Sequence, residues 1–231
     1  MAHSGIHAVL TGDIIDSTRL SAQELRQARE VMAEAIGAFE RDRPRSVRGD
    51  LDFFRGDAWQ VLLERPGQAL RLALLLRARL RAALGADTRV AIGIGGVDAV
   101  VEDRISMSGG EAFTLSGRAL DRLSGYFDLT GALPDRAGPM ADWLPAILHL
   151  VSGLGRSWTR RQAQLVGQGL LLETPTQERI AASLHPRVAK QTVQGALKSA
   201  GWRPLIDAVQ TFERTDWTAL LAKKDRPDAL P

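Results

Sequence analysis

The stretch HAVLTGDIIDSTRLSAQEL, residues 7–25, runs from an apolar segment directly into polar residues. Its first part, HAVLTGDII, predicts a buried β-strand that carries one carboxylate, Asp13, near its end. A helix is predicted to follow, with Ser21 as its N-cap. Between the strand and the helix lie Ser17 and Thr18, directly after another carboxylate, Asp16.

The rest of the first half continues this alternation of strands and helices. LDFF and AWQVLLE flank Arg55, Gly56 and Asp57 and predict a hairpin, while GQALRLALLLRARLRAALG predicts a strongly apolar helix. TRVAIGIGGV predicts another buried strand, and SGGEAFTLSGRALDRLSG predicts a helix entered through two glycines. The order β-α-β-β-α-β-α resembles a ferredoxin-like split βαβ sheet, so we expect an α+β fold for this half. The apolar face of the first helix is predicted to consist of Leu25, Ala28, Met32, Ala35, Ile36 and Phe39.

Composition is that of an average globular chain. The 231 residues are 45% hydrophobic and 25% charged, and none is a cysteine, which excludes disulfides, thiolate metal sites and a cysteine nucleophile. The N-terminus has no basic segment followed by an apolar one, and arginines interrupt every long apolar stretch. We therefore predict a cytoplasmic protein with no membrane span.

Charge divides unevenly along the chain. Residues 1–138 carry 18 arginines and no lysine against 19 acidic residues, whereas residues 139–231 carry 12 basic and 8 acidic residues. Within residues 159–203 the excess is 7 basic to 2 acidic, which favours either a polyanionic partner or a solvated helical surface.

Prolines and glycines in LTGALPDRAGPMADW break the periodic pattern between the two halves. We therefore predict a first domain over residues 1–136 and a second over 139–220. The polar, proline-containing residues 221–231 are predicted to form a flexible tail.

The predicted hairpin places a second carboxylate, Asp57, beside the end of the first strand. Two carboxylates at one sheet edge repel each other unless a cation lies between them, and Mg²⁺ bound to phosphates supplies such a cation. Ser17 and Thr18 would then face phosphate oxygens at the start of a helix. The other interpretation is that Asp16 and Ser17 only cap the first helix.

At these residues the sequence resembles the class III nucleotidyl cyclase homology domain. The resemblance covers about residues 6–128 and rests on GDIIDST, RGDAWQ and GGEAFTLSGRALDRL. It implies that Asp13, the carbonyl of Ile14 and Asp57 are metal ligands. It further implies a triphosphate loop at Asp16, Ser17 and Thr18. Such domains resemble half-sites that a second copy completes.

The third motif implies that Arg118 corresponds to the transition-state arginine, although a solvent-directed arginine is the other interpretation. Thr114 stands where the family has an asparagine, and Phe53 stands where it has the purine-reading lysine. The last strands of the family, with their phosphate-binding lysine, are expected to be missing. A shortened cyclase-like domain followed by a basic helical domain more closely resembles the SatD family.

The second half resembles a helix-turn-helix of the sigma-factor and response-regulator type. Three helices are predicted: one capped by Thr159, one capped by Thr174 with Pro175 at its first position, and one in VAKQTVQGALKSAG. The turn HPRVAK is about two residues longer than usual and contains Pro186. The candidate DNA-contacting residues are Arg161, Gln177, Lys190, Gln191, Gln194 and Lys198, because glutamines read adenine and lysines meet guanine or phosphate.

These observations predict a homodimeric DNA-binding regulator whose cyclase-like domain binds a nucleotide, together with Mg²⁺. A divergent nucleotidyl cyclase with an accessory helical domain is the alternative. The two further possibilities are a structural dimerisation domain with vestigial carboxylates and a purely helical dimerisation module in the second half. We expect the dimer to form mainly through the first half. Two apolar stripes are candidate dimer surfaces, and core packing is the other interpretation of each: Leu72, Leu75, Leu76 and Leu80 in one helix, and Trp143, Leu144 and Ile147 in the linker.

Overall fold

A computed structural model describes residues 5–184 and 189–222 of the chain. Five strands form one sheet in the order β2-β3-β1-β4-β5: β1 (Ile6–Ile14), β2 (Val47–Phe54), β3 (Ala58–Leu63), β4 (Thr88–Gly96) and β5 (Leu129–Ala132). The pairs β2–β3, β3–β1 and β1–β4 are antiparallel, and β5 runs parallel to β4. With helices α1 (Ala22–Asp42) and α2 (Ala69–Leu84), the first four strands give the predicted ferredoxin-like βαββαβ arrangement.

The remaining helices follow in chain order. They are α3 (Glu111–Asp121), α4 (Met140–Arg156), α5 (Arg160–Leu171), α6 (Gln177–Ala182), α7 (Lys190–Ser199), α8 (Trp202–Arg214) and α9 (Trp217–Leu221). In the described ranges no helix is long and apolar enough to cross a membrane. The α+β fold with a helical C-terminal half is confirmed.

The central strand β1 positions the candidate site. In its two ladders Asp13 lies opposite Ala58 of β3 on one side and opposite Arg89 of β4 on the other. The predicted hairpin is confirmed, and its tip turns through Arg55 and Gly56, which both adopt positive φ. Asp57 follows this tip and therefore reaches the same edge of the sheet as Asp13.

A fifth strand was not predicted from the sequence, which indicated only a helix and a short connection before the linker. β5 has four residues, LTGA, too few to give a periodic signal. Gly131 within it allows helix α4 to approach, since a Cβ there would lie 2.7 Å from a methyl group of Leu148. The sheet is therefore extended by one strand and covered by α4 at that end.

One hydrophobic core crosses the predicted boundary between the halves. Helix α2 packs against α5, and the core contains buried apolar residues of both. Arg71 of α2 donates to Glu213 of α8 and to the carbonyl of Leu170 in α5. The division near residues 136–139 stays a prediction, and the described part of the chain shows tight packing across it.

The predicted stripe on α2 is interior rather than surface. Its residues are fully buried in the shared core: Leu72, Leu75, Leu76 and Leu80. As a dimer surface this stripe is wrong, because α5 and the sheet already cover it.

Two of the predicted helix caps are confirmed. Ser21 and Thr159 each accept a hydrogen bond from the backbone three residues on and form complete capping boxes, as predicted. Asp16 does not cap α1, and it precedes only a 3₁₀ turn at Ser17–Arg19 without a side-chain cap.

The cap predicted for the second helix of the C-terminal half is wrong. Thr176, not Thr174, accepts the backbone N–H of Arg179, so α6 begins at Gln177 and Pro175 lies before it. Pro186 and most of the predicted long turn lie outside the described residues, as do residues 223–231 of the predicted tail. Leu221, at the start of that tail, is the buried last residue of α9.

Candidate functional sites

A cleft of about 710 Å³ opens at the end of β1. It brings together every residue predicted to bind metal or to form the triphosphate loop, that is Asp13, Ile14, Asp16, Ser17, Thr18 and Asp57. Four arginines and two further aspartates also line it: Arg19, Arg81, Arg89, Arg156, Asp87 and Asp128. The sequence therefore identified one side of the cleft and missed the other.

Asp13 is paired with Arg89, its neighbour across the β1–β4 ladder. Arg89 Nε donates to one carboxylate oxygen at 2.8 Å, and Nη2 donates to the other. This two-point contact is the geometry that guanidinium and carboxylate groups favour. The hydrogen bond with Asp13 raises the pKa of Arg89 above its ordinary value. A protein cation thus already neutralises the first predicted metal ligand.

Asp57 accepts a hydrogen bond from the hydroxyl of Ser17. The loop that contains Ser17 turns sharply, because Asp16 adopts the left-handed conformation with φ of 54°. Asp16 makes only an exposed contact of 3.5 Å with Arg19. The loop is therefore tied to the hairpin tip through Ser17, and its remaining polar side chains face solvent.

A buried charge network forms the floor of the cleft. Arg77 of α2 is only 1% exposed and donates to Asp87 through Nε (3.0 Å) and Nη2 (2.8 Å), and to Asp128 at 3.1 Å. Arg81 donates to Asp87 at 2.7 Å, and Arg156 of α4 lies 3.2 Å from Asp128. The network joins α2, α4 and the ends of two strands.

The two aspartates of this network differ in pKa. Burial alone would raise the pKa of Asp87, but its ion pairs and hydrogen bonds with Arg77 and Arg81 outweigh burial and hold the pKa below its ordinary value. Burial raises the pKa of Asp128, and the attraction of Arg77 only partly offsets this. No motif pointed to these residues, because their partners come from distant parts of the chain.

Thr114 and Arg118 do not line this cleft. Arg118 lies in a second depression of about 510 Å³ between α3, β5 and α4, beside the stacked rings of Phe127 and His149. Thr114 is exposed and its hydroxyl donates to the carbonyl of Gly110 within α3. Within one copy of the chain, Thr114 and Arg118 therefore lie apart from Asp13 and Asp57 and do not share a nucleotide site with them.

The predicted Mg²⁺ finds few free ligands in the cleft. Both oxygens of Asp13 accept from Arg89, and the described residues contain no cluster of three or more carboxylates or histidines that would hold a metal ion. Magnesium prefers several oxygen ligands that are free to coordinate it. The magnesium site stays a prediction. The carboxylates of the cleft do not fit it in this arrangement, because Arg89 occupies both oxygens of Asp13.

The predicted DNA-contacting residues divide into two groups. Gln177, Lys190, Gln194 and Lys198 line one groove between α6, α7 and the start of α8, and Gln191 is exposed on the adjoining side of α7. Lys190 pairs with Glu178 across this groove. Arg203 lines it too, although the sequence pattern gave it no role beyond the local charge excess.

Arg161 belongs to a different place. It is exposed at the start of α5 and lines a groove between α1, α2 and α5. The structure therefore does not bring it together with the α7 residues.

Helix α4 presents a second apolar face to solvent. Leu144 and Leu148 are buried against β5, but Trp143 is 64% exposed and Leu150 is 77% exposed, with Ile147 between them. Positions 143, 147 and 150 share one side of a helix. Of the predicted linker stripe, Trp143 and Ile147 are available at the surface and Leu144 is not.

Solved structures that are similar to part of this chain include two cyclases. A bacterial light-regulated adenylyl cyclase shares 15% identity over 57% of this chain and 44% of its own, with a TM-score of 0.42. The guanylyl cyclase Cya2 shares 17% identity over 57% of this chain and 76% of its own, with a TM-score of 0.41. No protein-family model matches the chain, and no curated protein matches it either. Similarity at this level carries no inference about activity, and the fold assignment rests on the strand order given above.

Proposed function

We propose that this protein is a DNA-binding regulator in which helix α7 contacts duplex DNA. The observation that carries the proposal is the single groove that gathers Gln177, Lys190, Gln194 and Lys198. Three of these four side chains lie one helical turn apart on α7, so they would meet successive positions of a DNA groove together.

The packing of α7 supports this orientation. Val193 and Leu197 are buried against the core, whereas Gln191, Gln194 and Lys198 are exposed. The inner end of the helix is fixed by Gln162 of α5, whose amide donates to the hydroxyl of Ser199 at 2.9 Å. A rigid helix with one buried and one polar side is what major-groove recognition requires.

The cleft is connected to this half by hydrogen bonds. Arg81 reaches from the Asp87 network to the carbonyls of Arg156 and Trp158, and the indole of Trp158 donates to the carbonyl of Ala200 after α7. We propose that a nucleotide in the cleft biases the position of α7 through this path. Such coupling requires the nucleotide to bind one arrangement more tightly than the other.

The regulator is proposed to act as a homodimer. Because α2 is interior, the exposed face of α4 with Trp143, Ile147 and Leu150 is the surface we assign to the second copy. Leu150→Lys should leave the fold intact, since Leu150 is exposed, and should shift light scattering toward the monomer. A wild-type protein that is monomeric at tens of micromolar, free and on DNA, contradicts the dimer.

The alternative, a divergent cyclase, is supported by no contact in the cleft. It requires Asp13 and Asp57 to share metal ions, whereas both carboxylate oxygens of Asp13 accept hydrogen bonds from Arg89. We expect no cyclic nucleotide from ATP or GTP with Mg²⁺ or Mn²⁺. Product formation that Asp57→Asn abolishes would establish the enzyme instead.

Fluorescence anisotropy of the full chain with labelled duplex DNA tests the proposed function. Lys198→Ala should weaken binding, because one phosphate or base contact is lost. Arg104→Ala is the matched control, since it removes the same charge from an exposed side chain in the N-terminal half. The proposal is contradicted if the wild-type protein shows no measurable DNA binding at low salt. It is also contradicted if Lys198→Ala and Arg104→Ala bind DNA equally well.

The nucleotide part has a separate test. A panel of nucleotides, with and without Mg²⁺, should raise the melting temperature if one of them binds the native state. Asp57→Asn and Ser17→Ala should remove that shift. No shift with any nucleotide removes the sensing role and leaves DNA binding in place.

A further inference from the structure

A groove between α1, α2 and α5 is rich in arginine and poor in carboxylates. It has a volume of about 730 Å³ and is lined by Arg41, Arg79, Arg160 and Arg161, with Glu34 as its one acidic residue. The formal charge of the lining is therefore strongly positive. The β1 cleft also contains four arginines, but five aspartates line it as well, so the two depressions differ in charge.

Arg79 is the most enclosed member of this groove. Its Nε is buried and has no hydrogen-bond acceptor among residues 5–184 and 189–222. Its side chain runs close to Gly167 of α5, where an added Cβ would lie 3.8 Å from Nε. Burial lowers the pKa of Arg79, opposed by the nearby charge of Glu34, yet a guanidinium stays protonated at neutral pH. A charged donor is thus held in place without a protein acceptor.

The three exposed arginines keep most of their donors free. Arg160 donates to the carbonyl of Leu84, and Arg161 donates to the side chain of Gln164. For Arg41 the described part of the chain shows no side-chain hydrogen bond or ion pair. Each guanidinium carries five N–H donors, so most of them are available to a ligand in the groove.

We propose that this groove binds an oligophosphate, either a free diphosphate or triphosphate or the same group of a larger small molecule. Phosphate oxygens match the planar fork of guanidinium groups, and several linked phosphates would satisfy several arginines at once. The other lining residues are small, among them Gly37, Ala38, Ala82 and Ala83, and they leave the room that such a group needs.

The occupant would touch both halves of the molecule. Arg41 and Arg79 belong to α1 and α2, whereas Arg160 and Arg161 begin α5, the helix that supports α7. The site is independent of the β1 cleft and of the DNA face, and it requires no metal ion. It also gives Arg161 a role other than the DNA contact predicted from its charge.

Isothermal titration calorimetry of the full chain with sodium tripolyphosphate in EDTA tests this site. We expect saturable binding that Arg41→Ala and Arg161→Ala each weaken about tenfold, the loss of one charge-assisted hydrogen bond. Arg79→Met should abolish binding, and the two exposed variants keep the test valid if Arg79→Met fails to fold. Arg104→Ala, which removes an exposed arginine away from both depressions, should bind like the wild type.

The proposal is overturned if the wild type shows no saturable binding of tripolyphosphate. It is also overturned if an Arg41→Ala/Arg161→Ala double variant binds tripolyphosphate like the wild type. Duplex DNA at the same phosphate concentration provides the second arm. If Arg161→Ala weakens DNA binding while tripolyphosphate does not bind, the groove belongs to the DNA surface and the small-anion site is refuted. If Asp57→Asn abolishes tripolyphosphate binding, the anion occupies the β1 cleft instead.

Discussion

In the cleft at the end of β1, Arg81, Arg89 and Arg156 each contact an aspartate, whereas on helix α7 the side chains of Gln194 and Lys198 extend into solvent. For these two α7 residues the described part of the chain shows no side-chain partner. The three arginines of the cleft hold the protein together, whereas Gln194 and Lys198 are available to a partner. Local charge counted along a sequence does not separate these two cases, because the partner of an arginine is set by the fold.

The largest effect is expected at the centre of the cleft floor. Arg77→Met should lower the free energy of unfolding by about 3–5 kcal/mol, because it leaves Asp87 and Asp128 buried without their main cation. Urea denaturation followed by circular dichroism measures this difference. Arg104→Ala should change it by less than about 0.5 kcal/mol, as expected for an exposed side chain. A loss below about 1 kcal/mol for Arg77→Met would mean that the network is not structural.

A smaller effect, with a defined pH dependence, is expected at Asp87. Because the pKa of Asp87 is held below its ordinary value of 3.8, its ionised form stabilises the folded state above that pH. The contribution is lost as the pH falls through the folded-state pKa. Asp87→Asn should therefore cost about 1.5–3 kcal/mol at pH 7 and progressively less below pH 4.

Asp128 is expected to affect the pH dependence of stability in the opposite direction from Asp87. Its raised pKa means that the folded state takes up a proton more readily than the unfolded state does, so protonation of Asp128 favours folding as the pH falls. Denaturation of wild type and both Asp→Asn variants between pH 3 and pH 7 separates the two contributions. If the loss of unfolding free energy caused by Asp87→Asn grows as the pH falls, the lowered pKa of Asp87 is contradicted.

The smallest change in stability is expected at Arg89. The Arg89–Asp13 pair is partly exposed, so Arg89→Ala should cost no more than about 1 kcal/mol. The variant frees both oxygens of Asp13 beside Asp57, and we expect Mg²⁺ to raise its melting temperature but not that of the wild type. Asp13→Asn in the same background should remove the gain. Equal stabilisation of wild type and variant by Mg²⁺ would show that Arg89 does not compete with a metal.

The fold was predictable where a short pattern determines it. Alternation of strands and helices, the Gly56 hairpin and the caps at Ser21 and Thr159 all come from neighbouring residues, and the structure confirms them. β5 was missed because four residues carry no periodic signal. The α6 cap was placed two residues early because Thr174 and Thr176 are equally good caps in sequence, and only the fold selects between them.

The candidate site was predictable only in part. Asp13 and Asp57 converge because strand pairing follows from the hairpin, and this the sequence does contain. Arg89 and Arg77 were missed because their partners lie 76 and up to 51 residues away along the chain. Contacts of such separation leave no local motif, so the sequence predicted two metal-binding carboxylates where the structure has Asp13 paired with Arg89 and Asp57 bound by the hydroxyl of Ser17.

The dependence of DNA binding on salt tests the central claim most directly. For the full chain, the logarithm of the binding constant should fall linearly with the logarithm of salt concentration, as it does when lysines displace counterions from phosphates. Lys198→Ala should reduce the slope by about 1. Gln194→Ala should leave the slope unchanged, and it should reduce the difference in affinity between a preferred duplex and a duplex of random sequence. Binding that does not change with salt, or a slope that is the same in wild type and Lys198→Ala, would contradict a DNA-binding role for helix α7.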